Sequence, residues 1–292
     1  MFARFIGKPI SIAVMCFWHI TAIFFRTHHA LELAIMLMHR NFFQTRGCTL
    51  SYLDTGGRAP VIICLHALWM QASSFQALAR RLFPHWRVVA LDQRGHGRSS
   101  RAADYSRDAF VADIYALIEA LKLTAPVVLL GNSLGGTNAF QFAARYPEKV
   151  RALIIEEAPA EENMDLPWLA QWHGVFPSLE ALATAVAPFY WSVADAVVET
   201  AEGFHLAFDI GDMQRIQAAT NGDWWADWQA SSCPALVLRG ANSGAIAPNI
   251  LEKMASAREN THFDVLDAGH VLHSDNPAAV AHRIKVFLES VA

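Results

Sequence analysis

The residues best suited to chemistry lie in Gly131-Asn132-Ser133-Leu134-Gly135-Gly136. An apolar run, Val127 to Leu130, precedes this stretch, and a helix-compatible segment, Thr137 to Tyr146, follows it. Gly-x-Ser-x-Gly between a strand and a helix is the pattern of a nucleophile elbow, which exposes the serine hydroxyl at the C-terminal edge of a sheet. The turn is tight, and Gly131 and Gly135 leave it room. The N-terminus of the following helix favours negative charge developing beside Ser133. A free serine hydroxyl is a weak nucleophile and needs a base to take its proton. Taken alone, the hexapeptide also fits an ordinary Gly-rich loop, so the rest of the chain decides between the two readings.

The elements around it alternate. Phe42 to Thr45 and Thr49 to Asp54 read as strands joined by a turn at Arg46-Gly47. Val61 to Leu65 is a continuous apolar run, as expected of a strand covered on both faces. Ser73 to Phe83 reads as a helix, Arg87 to Leu91 as a strand, Asp108 to Leu121 as a helix and Val150 to Ile155 as a strand. From Ala160 to Ala230 the alternation stops, and helices and loops are expected there. This segment holds Trp168, Trp172, Trp191, Trp224, Trp225 and Trp228, six of the nine tryptophans. Ala235 to Arg239 resumes the sheet, followed by a helix at Ile250 to Ala257, a strand at His262 to Leu266 and a closing helix from Pro277 to Val291. Such alternation implies a mostly parallel sheet with helices on both faces, an α/β protein.

Composition narrows the function classes. At 292 residues with 53% hydrophobic and 17% charged residues, the chain can bury a large core and is not globally disordered. A net charge of -4 without a basic tract argues against nucleic acid as the main partner. The 13 histidines are scattered, no spacing suggests a metal site, and Cys16, Cys48, Cys64 and Cys233 form no disulfide framework. Residues 1–40 differ from the rest. Arg4 and Lys8 precede an apolar run from Pro9 to Phe25, which resembles a signal sequence or a short anchor. Residues 9–25 are therefore a possible membrane-association segment, although about 17 residues is short for a span. Helices packed on the domain, or an upstream start without a role, are the alternatives. The chain is membrane-associated or exported if this segment acts as an anchor or signal, and cytoplasmic otherwise.

Four polar segments follow strands in order. They are Leu65-His66-Ala67-Leu68-Trp69, Asp92 to Ser99, the serine stretch, and Asp267-Ala268-Gly269-His270. Their order and spacing resemble the α/β-hydrolase superfamily over residues 41–292. The resemblance implies a core of 41–159 and 231–292 with a helical cap at 160–230. It implies Ser133 as nucleophile and His270 as base, with His273, His66 and His96 as less fitting histidines. It implies an oxyanion hole from the backbone N–H groups of Leu68 and Leu134. The family usually has Gly after the first histidine, and Ala67 stands there instead. Trp69 and His66 are assigned to the substrate pocket, with His66 also bracing the oxyanion loop.

The third member of the catalytic set departs from the pattern. The family usually carries an Asp after the strand Ala235 to Arg239, but that loop reads Gly240 to Ile246 with Gly244 in the expected slot. Some branches place the acid after the strand that follows the nucleophile helix, where this chain has Glu156-Glu157. Glu157 fits the matching position, and adjacent residues on a strand point to opposite faces, so one of the two is expected to serve. Glu156, Asp267 and Asp209 are the other candidates. The expected activity is a serine hydrolase of small to medium apolar esters or lactones, using no cofactor and no metal. The same elbow also resembles hydrolases of carbon–carbon bonds in ring-cleavage products. A non-catalytic binding protein on the same scaffold is the reading from a different class.

Overall fold

The computed structural model describes residues 38–187 and 189–291. The proposed anchor at residues 9–25 lies outside them, and no helix among the described residues is long and apolar enough to cross a membrane. The strands are β1 (His39–Thr45), β2 (Cys48–Asp54), β3 (Val61–Leu65), β4 (Arg87–Asp92), β5 (Val127–Asn132), β6 (Val150–Glu156), β7 (Glu161–Glu162), β8 (Val197–Thr200), β9 (Gly203–Leu206), β10 (Gly222–Asp223), β11 (Ala235–Gly240) and β12 (Thr261–Leu266). Eight of them form one sheet in the order β1-β2-β4-β3-β5-β6-β11-β12. The β1–β2 and β2–β4 pairs are antiparallel. The pairs from β4 through β12 are parallel. The mostly parallel sheet expected from the alternation is therefore present.

Side chains alternate across this sheet with the period of two that a strand imposes. Ile63, Leu65, Leu129, Leu153 and Ile155 face one apolar layer. It is completed by the helices α2 (Arg107–Ala120), α3 (Leu134–Arg145) and α8 (Pro248–Ser256). Ile62, Cys64, Val128, Leu130 and Ile154 face the other layer, made with α1 (Gln76–Leu82) and α10 (Pro277–Ser290). Burial on both faces explains why β3 and β5 read as unbroken apolar runs. The helix expected from Ser73 begins as a short 3-10 turn, Ala72–Phe75, before α1. Helix α3 begins at Leu134 rather than Thr137. Gly135 and Gly136 read as helix breakers in sequence, but here they let α3 lie directly against the sheet.

Strand β3 has β4 on one side and β5 on the other, so the chain changes direction across the sheet between β3 and β5. In open α/β sheets a crevice forms beyond the strand ends at such a switch, and ligands bind there. The loops carrying His66 and Ser133 leave the sheet at this point.

The segment between β6 and β11 holds α4 (Leu179–Val186), α5 (Tyr190–Val193), α6 (Ile210–Thr220) and α7 (Trp225–Ala230). It is not only helices and loops, as expected from sequence. β7 pairs with β10, and β8 with β9, in short antiparallel ladders. Ladders of two to four residues leave too little alternation to be seen in sequence. Leu169, Trp172, Leu182, Val186 and Met213 of this segment form an apolar cluster that continues onto Leu68, Phe110 and Leu134. Trp228 instead joins the main core. It is fully buried, meets Phe140 edge-on and donates its indole N–H to the Met254 carbonyl at 2.8 Å. Trp228→Ala is expected to reduce the unfolding free energy by about 3–5 kcal/mol, the usual cost of emptying a large aromatic site. The measurement is the urea midpoint, and a loss below about 1 kcal/mol would contradict this placement.

Candidate active site

Ser133 leaves β5 with φ 51° and ψ -118°, a backbone conformation that residues other than Gly rarely adopt. Its N–H donates to the Glu156 carbonyl at 3.0 Å, and its own carbonyl accepts from Gly136 at 2.8 Å and Thr137 at 3.1 Å. Gly131 and Gly135 are small because the turn has no space for a side chain. A Cβ on Gly131 would strike the Gly135 carbonyl, and a Cβ on Gly135 would strike the Leu65 carbonyl. Trp69 (φ 54°) and Glu157 (φ 47°) share the left-handed conformation. Strain of this kind costs on the order of 1–3 kcal/mol per residue and gathers at functional sites.

His270 follows β12, and its Nδ1 lies 3.4 Å from Oε2 of Glu157. The Glu157 carboxylate is fully buried. It accepts the Gly240 N–H on Oε1 at 2.8 Å and the Ser243 hydroxyl on Oε2 at 2.7 Å. The neighbouring Glu156 points to the layer of Ile154 and Phe75. There its Oε2 lies 2.6 Å from Nδ1 of His273, which stacks on Phe75 at 3.9 Å and reaches the Ser74 hydroxyl at 3.2 Å. The two adjacent glutamates thus hold two different histidines on opposite sides of one strand end. Asp267 accepts from the Asn242 side chain at 2.9 Å, and Asp209 accepts from the Asp212 N–H at 3.0 Å, capping α6.

Ser133, His270, Leu68 and Trp69 line one cavity of about 580 Å³. Its large apolar wall residues come from the segment between β6 and β11, through Met164, Leu166, Trp168, Phe189 and Trp191, and the loop Asn242 to Ile246 closes another side. Trp69 is oriented by its indole N–H, which donates to the Ser192 hydroxyl at 3.1 Å. Leu134 is buried at the first position of α3, directly after Ser133. Among the described residues, the N–H groups of Leu68 and Leu134 have no acceptor. Trp172 is buried behind the cavity wall, against Trp69 and Trp168.

A family model described as alpha/beta hydrolase fold matches residues 60–187. The chain is 28% identical to a Haemophilus influenzae protein provisionally described as an esterase or lipase, over 91% of this chain and 93% of that one. It is 26% identical to 2-(acetamidomethylene)succinate hydrolase of Mesorhizobium japonicum, over 80% and 90% of the two chains. Among solved structures, the thioesterase domain from the curacin biosynthetic pathway superposes with a TM-score of 0.72 at 25% identity. That match covers 85% of this chain and 99% of the domain. The chain has the α/β-hydrolase fold.

Several features of the site correct or extend the sequence reading. His66 does not line the cavity. It is fully buried, with Nδ1 2.7 Å from the Ala67 carbonyl, and its Nε2 accepts the Gln93 N–H at 3.0 Å. Its ring is therefore consumed in fixing the loop between β3 and α1. The concern over Ala67 dissolves, because the left-handed residue of that loop is Trp69, two positions later. The loop after β11 carries no acid, yet it reaches Glu157 through Gly240 and Ser243, and nothing in a Gly-Ala-Asn-Ser run signals this. Asn132 was also silent in sequence. Its side-chain N–H₂ donates to the carbonyls of Glu156 at 3.1 Å and His270 at 2.9 Å. Glu162 enters the cavity wall, although it read only as a residue of the insertion. Among the described residues, no cluster of three or more His, Cys, Asp or Glu could hold a metal ion.

His66 and His96 pack ring to ring at 4.9 Å, both buried. Burial lowers His66 to about 4 and His96 to about 3, from 6.5. The folded protein keeps both rings neutral, whereas the unfolded chain protonates them near 6.5. Their contribution is whole above that pH and is lost as pH falls through the window down to about 4 and 3. Each ring contributes about 1.4 kcal/mol of lost stability per pH unit inside its window. Between pH 6.5 and 5, His96→Gln is expected to reduce the slope of unfolding free energy against pH by about that amount. An unchanged slope would mean that His96 is not buried neutral.

Proposed function

We propose that the protein is a serine hydrolase of small to medium apolar carboxylic esters or lactones. The observation that carries this is the common cavity of Ser133 and His270, with Glu157 buried behind the histidine at 3.4 Å. Ser133 Oγ attacks the substrate carbonyl while His270 Nε2 takes its proton. Glu157 faces Nδ1, fixes the ring with that nitrogen protonated, and stabilises the imidazolium. The Gly240 and Ser243 donors hold the Glu157 carboxylate in place. The N–H groups of Leu68 and Leu134 receive the oxyanion, and removing one such donor typically costs about 10²–10³ in rate. The tetrahedral intermediate collapses to an acyl-Ser133, and His270 passes its proton to the leaving alcohol. Water then gives a proton to His270 and attacks the acyl group, and collapse of the second intermediate releases the acid and restores Ser133.

The similar esterase-type and succinate hydrolases support hydrolysis as the general chemistry. Ester preference is supported by a largely apolar cavity with no Lys or Arg in its wall among the described residues. A substrate with two carboxylates would find no counter-charge there. The carbon–carbon hydrolase reading shares the same nucleophile and differs in substrate, so a ring-cleavage dienone belongs in the substrate panel.

A fluorophosphonate probe is expected to label the folded protein at Ser133 and to leave Ser133→Ala unlabelled, as read by mass spectrometry. Folded wild-type protein that stays unlabelled would favour a non-catalytic binding role. With p-nitrophenyl butyrate, Glu157→Gln is expected to lower kcat by about 10²-fold or more, because the base loses its anion. Glu156→Gln, acting on the buried His273 side, is expected to keep turnover within about tenfold and to lower thermal stability instead. Near-wild-type turnover in Glu157→Gln would remove Glu157 from the reaction.

A further inference from the structure

Among the described residues, Glu162 is the one carboxylate in the wall of the Ser133 cavity. It is fixed on the two-residue β7–β10 ladder, where it pairs with Gly222. Two residues on, Met164 is stapled to Asn221 by hydrogen bonds of 3.0 and 2.8 Å through both its N–H and its carbonyl. The backbone around Glu162 is therefore held, and its half-buried side chain stands in the cavity wall. Gln217 and His270 are its polar neighbours, and burial pushes its carboxyl above the ordinary range. The His270 ring is already engaged with Glu157, and no Lys or Arg among the described residues lines the cavity.

The wall of the same cavity also carries aromatic rings. Trp168 and Phe189 stack at 4.9 Å with their planes 9° apart. Trp69 meets both edge-on at 5.9 Å. Trp191, 52% exposed, stands at the rim. A carboxylate in a cavity wall without Lys or Arg raises the cost of any anionic ligand there. Aromatic faces attract cations through the ring quadrupole, more strongly when the cation is desolvated. Together they make a site for a positive charge that carries its own apolar surface.

We propose that Glu162, with Trp69, Trp168 and Phe189, forms a subsite for an alkylammonium group, so that the favoured substrates are small esters bearing such a group. This deepens the serine-hydrolase reading and rests on it for turnover, but the subsite itself is a binding claim. The cation replaces the missing counter-charge of Glu162 and loses little hydration on entry, because its charge is already shielded by alkyl groups. Substrates carrying a carboxylate at the same position are rejected.

Three thioesters with one acyl group and one readout test it. They are acetylthiocholine, its neutral isostere S-(3,3-dimethylbutyl) thioacetate, and the anionic S-acetyl-3-mercaptopropionate, each followed by thiol release at low salt. The expected order of kcat/KM is cation, neutral, anion, with the cation favoured about tenfold or more over its isostere. Glu162→Gln is expected to bring the cation-to-neutral ratio to within about twofold. A wild-type ratio at or below one, or a ratio unchanged in Glu162→Gln, overturns the proposal. Quenching of tryptophan fluorescence by tetramethylammonium separates this claim from the catalytic one. Saturable quenching that is lost in Glu162→Gln, with no thiol released from any substrate, keeps the cation subsite and sinks the hydrolase reading. Absence of saturable quenching in a wild-type protein that hydrolyses the neutral thioester keeps the hydrolase reading and sinks the subsite.

Discussion

The end of β6 is where the site is joined. The Glu156 carbonyl receives the N–H of Ser133 and the side-chain N–H₂ of Asn132, so the elbow hangs from it. The Glu156 carboxylate holds His273, and the next residue, Glu157, faces His270. His270 and His273 lie three residues apart around the start of the short helix α9 (Leu272–Asp275). One dipeptide therefore ties the Ser133 turn to both ends of the histidine loop. The arrangement needs the alternation of the strand to send Glu156 into the layer beneath the sheet. It also needs the left-handed turn at Glu157 to bring the second carboxylate up beside the cavity.

The buried charges follow from the same economy. An ionised carboxylate taken out of water is stable only where donors meet it. Glu157 has the Gly240 N–H and the Ser243 hydroxyl, both from the loop after β11. That loop lacks an acid of its own at Gly244, yet it remains part of the site by supplying donors to an acid from the neighbouring strand. Parallel pairing of β6 with β11 puts the two strand ends side by side, so a carboxylate from either strand end can face the same histidine. On the opposite flank, His66 and Gln93 bind each other and fix the loop that presents Leu68 and Trp69. The catalytic edge is thus held from both sides by buried polar contacts, while the segment between β6 and β11 supplies the apolar wall.

Much of this was legible in the chain. Ser133 is marked by the small residues on either side of it, because the turn excludes any Cβ at Gly131 and Gly135. The succession of strands along the chain followed from apolar runs and the loops that end them. Glu157 was preferred to Glu156 by its match to the family position, and strand alternation implied that the two would face opposite ways. Less legible were the short ladders of the insertion, whose two to four residues carry no periodicity, and the start of α3, hidden by two glycines. His66 was misread as a pocket residue. A histidine beside a cavity loop and one buried beneath it have the same sequence neighbours.

The sequence by itself determined the fold class, and it singled out Ser133 at its tight turn and the histidine that follows the last strand. These depend on local rules: strand and helix periodicity, the sterics of a tight turn, and the order of motifs along one chain. Only the tertiary structure decided which partners the buried groups take. Ser243 on Glu157, Asn132 on the His270 carbonyl, and Trp69 against Trp168 and Phe189 are contacts between residues far apart in the chain. Their existence depends on the strand register and on how the insertion closes over the sheet edge. Neither is encoded in the spacing of any one motif, because burial and distance are properties of the packed whole.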